Sequence, residues 1–152
     1  MRCGAGRSGS RPVIIIDAGV VVALMLPLPF SDHAARRLRS LTEAREELYA
    51  PALMEYEVCS VMRRATAQGL VDEDQAKQAL DLLQDLRIQP ITPAVSLHNR
   101  ALSWAARLGH SKAYDAHYLA LAEEMSCPLL SADQRLVRAA RGLGATWVMG
   151  LE

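Results

Sequence analysis

Cysteines and long apolar runs, which mark several classes of protein, are scarce in this 152-residue chain. Its three cysteines, Cys3, Cys59 and Cys127, show no CxxC spacing, so neither a disulfide framework nor a zinc site is predicted. The apolar segment 13–28 contains Asp17, ends among prolines and is too short to span a bilayer. We therefore expect a soluble protein of the reducing cytoplasm, without a membrane partner.

Neither sign of charge is in excess. The 17 basic and 17 acidic residues cancel, which neither favours nor excludes nucleic acid as a partner, because a balanced chain can still be polarised. With 51% hydrophobic residues, the length suits one domain with a full core. We predict a flexible N-terminal tail at 1–12 and a single domain at 13–152. The tail's GxGxxG spacing precedes the first strand instead of following one, so no dinucleotide site is predicted.

Apolar runs alternate with helical periodicities along the chain. Strands are predicted at 13–16, 48–50, 87–91, 128–131 and 145–149, and helices at 20–25, 31–48, 51–68, 72–86, 93–108, 111–125 and 133–141. This alternation indicates an α/β fold, a three-layer α/β/α sandwich around a short central parallel sheet. In such sheets, ligands bind outside the carboxyl ends of the strands.

Two aspartates follow predicted strands. Asp17 ends the run VIII, which is typical of a strand buried on both faces, where an isolated carboxylate would cost several kcal/mol. Asp133 comes two residues after the strand that ends in LLS. Because the carboxyl ends of parallel strands meet at one edge of a sheet, we expect both aspartates at the same rim.

Two further acids interrupt helix faces that are otherwise apolar. Glu57 is four residues from both Leu53 and Val61, so it lies within the apolar stripe of its helix. Asp115 heads a buried stripe near a helix N-terminus, where the helix dipole alone would also favour a carboxylate. Four carboxylates gathered at one rim would repel one another unless cations were bound, and Mg²⁺ and Mn²⁺ are hard ions that take carboxylate oxygens. Such a cluster suits in-line displacement at phosphorus by a metal-activated water.

Three segments that contain these acids resemble the PIN-domain ribonucleases, and most closely the VapC-type toxins of bacterial toxin–antitoxin pairs. The segments are IIIDAGVVVALM, YAPALMEYEVCSVMRRA and AYDAHYLALAEEMSCPLLSADQRL. The resemblance implies a catalytic, metal-binding set of Asp17, Glu57, Asp115 and Asp133, with Ser131 orienting a carboxylate or a bound water. It implies Mg²⁺- or Mn²⁺-dependent cleavage of RNA that leaves a 5′-phosphate and a 3′-hydroxyl. It also implies a homodimer and a small antitoxin whose tail covers the site.

Several positions depart from the family pattern or bear on other interpretations. Gly19 stands where the family more often has Ser or Thr, and where a phosphatase of the haloacid dehalogenase type would need an Asp. Tyr118 and Leu119 stand where some family members carry an additional acid. The motifs of P-loop and phospho-receiver proteins are absent from the sequence. The alternative from a different class is a PIN-like binding module whose acids are structural or vestigial.

We expect the histidines and most arginines to serve in packing or on the solvated surface. His117 could approach the rim near Asp115, but packing is the more usual role for such a histidine. Five arginines are expected on solvated faces and become candidate RNA or antitoxin contacts only if they border the acidic rim. They are Arg36, Arg37, Arg39, Arg63 and Arg64.

Overall fold

Strands and helices alternate along the whole described part of the chain, residues 10–151 of a computed structural model. In chain order they are β1 (Val13–Ile16), α1 (Ala18–Met25), α2 (Ser31–Glu43), β2 (Glu47–Pro51), α3 (Leu53–Ala67), α4 (Glu73–Asp85), β3 (Gln89–Ile91), α5 (Val95–Leu108), α6 (Tyr114–Met125), β4 (Leu129–Leu130), α7 (Gln134–Gly142) and β5 (Val148–Met149). The strands form one parallel sheet in the order β3-β2-β1-β4-β5. The predicted α/β/α sandwich with a short parallel sheet is thereby confirmed.

The centre of the core is β1 and the helix that covers it. Ile14, Ile15 and Ile16 are at most 1% exposed, as expected for the middle strand of a parallel sheet covered on both faces. Helix α6 packs against β1, β2 and β4, and α5 packs against α6. Six of the 12 residues of α6 are buried, as expected for a helix that is apolar on most of its surface.

The parallel pairing of β1 with β4 places the carboxyl ends of these two strands side by side. Ile15 pairs with Leu129 and Ile16 with Leu130, and the backbone N–H of Asp17 donates to the carbonyl of Leu130 at 2.9 Å. Asp17, which follows β1, and Ser131, which follows β4, therefore lie at the same edge of the sheet. This register, and not sequence proximity, brings the two segments together.

One predicted helix was too long. The helix predicted at 31–48 ends at Glu43, because Arg45 takes a left-handed backbone conformation (φ 58°) and turns the chain into β2. In β2, Leu48 and Ala50 are buried with the less buried Tyr49 between them, which is the two-residue period of a strand.

Two helix ends are set by residues close to them in the sequence. Asp72 and Gln75 form a capping box at the start of α4, and Gly109 ends α5 in the left-handed conformation (φ 71°) that glycine adopts without strain. The tail predicted at 1–12 and its GxGxxG spacing lie largely outside the described residues, which begin at position 10. Within residues 10–151, no helix has both the length and the apolar character needed to cross a membrane.

Candidate active site

The four acids predicted from the sequence line one open cleft of about 320 Å³. Asp17, Glu57, Asp115 and Asp133 reach it from the end of β1, from α3, from α6 and from the start of α7 respectively. The rest of the lining is mostly apolar and comprises Ala18, Gly19, Val22, Leu28, Phe30, Val61 and Ala132. The fold thus gathers carboxylates that are separated by as many as 116 positions in the sequence.

Asp17 is the most buried of the four, with 9% of its surface exposed. It is the N-cap of α1, and its Oδ1 accepts a long hydrogen bond from the Gly19 N–H at 3.4 Å. The pKa of this carboxyl is raised to about 6, chiefly by burial; the hydrogen bond from Ser131 lowers it, and the negative charges of Asp115 and Asp133 add to the rise. At neutral pH the cleft therefore holds a carboxylate whose charge is poorly compensated by the protein itself.

Ser131 connects the two aspartates at the strand ends. Its side chain is fully buried, and its hydroxyl donates to Asp17 Oδ2 at 2.6 Å while accepting from the backbone N–H of Asp133 at 3.1 Å. A hydroxyl has a single proton to donate, so this geometry commits that proton to Asp17. The side chain thus orients a carboxylate, which is the geometry that the sequence resemblance implied for it.

Glu57 is held by a residue that was not predicted to contribute to the site. The Tyr118 hydroxyl donates to Glu57 Oε1 at 2.7 Å, from α6 to α3. This hydrogen bond lowers the pKa of Glu57, but burial, together with the charges of Asp17 and Asp115, raises it overall. The available signal was that a buried tyrosine hydroxyl needs a polar partner, and Tyr118 lies one helical turn after Asp115.

Of the two remaining acids, Asp115 is half-buried like Glu57, whereas Asp133 is exposed. Asp115 lies in the first turn of α6, and its pKa is raised by burial and by the charge of Asp133, against a lowering by His110. Asp133 is exposed at the rim and is the N-cap of α7, where its Oδ1 accepts from the backbone N–H groups of Arg135 and Leu136 at 3.0 and 3.2 Å. The Asp133 carboxylate is therefore fixed by the start of the helix that it caps.

The donor set of the cleft fits a hard divalent cation. Within residues 10–151, no three histidine, cysteine or acidic side chains converge closely enough to share one ion. Mg²⁺ does not need such a cage, since it is commonly held by one or two carboxylates and keeps several waters. All ligands on offer are carboxylate oxygens, and the raised pKa values of Asp17, Glu57 and Asp115 show that positive charge in the cleft would be favourable.

Comparison with known proteins identifies the family. The family model of the PIN domain matches residues 14–142. The chain belongs to the PIN-domain family. Ribonuclease VapC9 of Mycobacterium tuberculosis is 35% identical over 124 residues, which cover 82% of this chain and 88% of that protein. Ribonuclease VapC1 of the same organism is 39% identical over 128 residues, which cover 82% and 89%. Within the PIN-domain family, these identities group this chain with the VapC ribonucleases.

The fold of this PIN domain is also found among solved structures. In the crystal structure of VapBC2 from Rickettsia felis bound to a DNA fragment from their promoter, a chain superimposes with a TM-score of 0.67 and 11% identity. The match covers 91% of this chain and 98% of that one, so the fold agrees over nearly its whole length.

The histidine considered for the rim of the PIN domain does not line the cleft. His117 Nε2 lies 2.8 Å from His98 Nδ1, and His117 Nδ1 lies 2.6 Å from the carbonyl oxygen of Ala113. The pair joins α5 to α6. Because the two histidines are 19 positions apart on different helices, the sequence spacing gave no signal of their contact.

None of the five arginines singled out from the sequence lines the acidic cleft. Arg37 lies near the end of β5, with its guanidinium 4.0 Å from the sulfur of Met149, and Arg63 donates to Thr66 Oγ1 within its own helix. The structure therefore gives these arginines no place in the lining of the cleft.

Proposed function

We propose that this chain is a Mg²⁺- or Mn²⁺-dependent endoribonuclease and the toxin of a toxin–antitoxin pair. The observation that carries the proposal is the burial of the Asp17 carboxyl group beside Glu57, Asp115 and Asp133, with no cation of the protein among the residues that line the cleft. The names of its VapC relatives support RNA as the substrate.

Each of the proposed site residues has a defined task. Asp17, Glu57, Asp115 and Asp133 would hold the divalent ion, one or two of them directly and the others through its waters; when bound, the ion activates water for attack on phosphorus and stabilises the growing charge on the phosphate. Ser131 keeps one Asp17 oxygen fixed through its hydroxyl proton. Tyr118 does the same for one oxygen of Glu57. The protein's contribution is thus to fix the oxygen donors before the ion and the RNA arrive.

The experiment combines metal binding with RNA cleavage. Mn²⁺ binding is measured by calorimetry for the wild type, for Asp17→Asn and for Asp81→Asn, which alters an exposed carboxylate of α4 as a matched control. Cleavage of total RNA is followed with Mn²⁺ and with a chelator. We expect binding and cleavage in the wild type and in the Asp81 variant, and loss of both in the Asp17 variant.

The alternative is a binding module with the same fold. A well-folded wild type that binds no Mn²⁺ and cleaves no RNA would contradict the proposal and favour that alternative. Asp17→Asn that cleaves normally would instead remove Asp17 from the catalytic set.

The proposal includes a homodimer and an antitoxin partner. Support for the antitoxin comes from chains of the same fold that were solved as VapBC or toxin–antitoxin complexes. The homodimer is tested by light scattering during gel filtration, where a mass near twice 16.6 kDa is expected. The antitoxin is tested by co-expressing the small protein encoded next to this gene, which should co-purify and suppress cleavage. A monomeric mass would contradict the homodimer. Cleavage that the co-expressed protein leaves unaffected would contradict the antitoxin partner.

A further inference from the structure

A second cavity of about 440 Å³ adjoins the acidic cleft and shares Glu57 and Asp115 with it. The remaining lining comes from the connection between α5 and α6 and from the first residue of α6. These residues are Gly109, His110, Ser111, Lys112 and Tyr114. A ligand bound in the acidic cleft could therefore continue into this cavity without leaving the surface.

The second cavity differs from the first in charge. Its lining includes Lys112, whose ammonium group makes no ion pair within residues 10–151. Lys112 is one of only two lysines in the chain. His110 lies close enough to Asp115 to lower the pKa of that carboxyl. The cavity thus combines the cationic side chain of Lys112 with two of the acids, a combination that suits a phosphate next to a metal site.

Tyr114 adds an aromatic surface to the same cavity. It lies immediately before Asp115, and 56% of its surface is exposed, so its ring is accessible to a ligand. The left-handed backbone of Gly109 ends α5 and turns the chain across the cavity, so that the basic residues and the ring are presented from one short segment. An exposed ring beside a free cation is the combination that binds single-stranded nucleic acid.

Building on the proposed ribonuclease function, we propose that this cavity binds one unpaired nucleotide adjacent to the scissile phosphodiester of the RNA. Lys112 contacts the phosphate of that nucleotide, and Tyr114 stacks on its base. Stacking requires a base that is not inside a duplex, so the substrate class is single-stranded or loop RNA. Both residues are substrate-binding residues with no part in the chemical step.

RNA binding is measured in an Asp17→Asn background, which removes cleavage and leaves the second cavity unchanged. The variants added to it are Lys112→Gln, Tyr114→Ala and Tyr114→Phe, with Lys77→Gln on α4 as the matched control for loss of a lysine. The probe is a fluorescent single-stranded RNA of mixed sequence, compared with the same RNA in a full duplex. Dissociation constants are obtained by anisotropy across a range of salt concentrations.

The expected effects separate the two residues. Lys112→Gln raises the Kd and lowers the salt dependence of log K by about 0.7, the value for one phosphate contact on a single strand. Tyr114→Ala raises the Kd about tenfold, Tyr114→Phe restores binding, and Lys77→Gln has no effect. In the wild-type background, Lys112→Gln raises KM and leaves kcat nearly unchanged.

Failure of the subsite and failure of the ribonuclease function give different results. If the wild type cleaves RNA but the Lys112 and Tyr114 variants bind it as the Lys77 control does, the subsite is wrong and the nuclease stands. If these variants lose binding while the wild type cleaves nothing, the subsite stands and the nuclease is wrong. Duplex RNA bound as tightly as the single strand would overturn the assignment of Tyr114, and no RNA binding at all would overturn both proposals.

Discussion

The Asp17→Asn substitution should stabilise the metal-free protein, although it removes a central residue of the proposed site. Burial and the neighbouring carboxylates Asp115 and Asp133 raise the pKa of Asp17 from 3.8 to about 6. In the folded state at neutral pH, the ionised form is therefore disfavoured by about 3 kcal/mol relative to an exposed carboxylate. Asn has the same shape, carries no charge and can still accept the hydrogen bond from Ser131.

The net gain is smaller than that value because a hydrogen bond to a neutral amide is weaker than one to a carboxylate. We expect the free energy of unfolding to rise by about 2 kcal/mol at pH 7.5, which corresponds to about 4–8 °C in Tm for a domain of this size. The assay is chemical and thermal unfolding in the presence of a chelator. Asp81→Asn on α4 is the matched control and should change stability by less than about 0.5 kcal/mol.

The pH dependence supplies a second, independent check. The pKa of Asp17 is raised on folding, so its contribution favours the folded state below pH 3.8 and is lost as the pH rises through about 6. As the pH falls from 7.5 toward 4, the free energy of unfolding of the wild type should therefore rise relative to that of Asp17→Asn. The difference in stability between the two proteins should vanish near pH 4. An Asn variant that is less stable than the wild type at pH 7.5, or an advantage that persists undiminished at pH 4, would refute the reasoning.

Adding metal should reverse the order of stability. A ligand that binds only the folded state stabilises it by about 2.7 kcal/mol at a concentration 100 times its Kd. The wild type should gain this stability from Mn²⁺ and overtake Asp17→Asn, which lacks one of the proposed ligands. Equal gains in the two proteins would show that the ion is held elsewhere.

Three other substitutions test the parts that support the site and the fold. Ser131→Ala should destabilise the protein by about 1–3 kcal/mol and raise the pKa of Asp17 further in the metal-free state, as followed by carbon NMR; an unchanged titration would contradict the role of its hydroxyl. Tyr118→Phe should raise the pKa of Glu57 and reduce RNA cleavage with an unchanged circular dichroism spectrum, whereas full activity would show that Glu57 needs no such support. Asp72→Ala removes the capping box of α4 and should cost about 1 kcal/mol in unfolding by denaturant while leaving RNA cleavage intact; reduced cleavage would link α4 to the site.

Local sequence patterns determined much of this protein. The run of β-branched residues before Asp17 predicted a buried strand, and the position of Glu57 within an apolar stripe predicted that it would point inward. The caps at Asp72 and Gly109 were also predictable, because a helix end is decided by backbone groups within four residues. The parallel sheet followed from the alternation of strands and helices, and with it the expectation that Asp17 and Asp133 share one edge.

Only the tertiary structure decided which side chains contact each other. The hydrogen bond from Tyr118 to Glu57 joins two helices that are 61 positions apart, and nothing near either residue in the sequence indicates the other as its partner. The same holds for His98 with His117, and for the cavity between the α5–α6 connection and the acids. The sequence does not indicate the end of α2 at Glu43 for the same reason, since Leu48 fits an apolar helix face as well as a strand until β1 pairs beside it. Patterns along the chain specify which face of an element is buried, but the register between elements arises from the packing of the whole core.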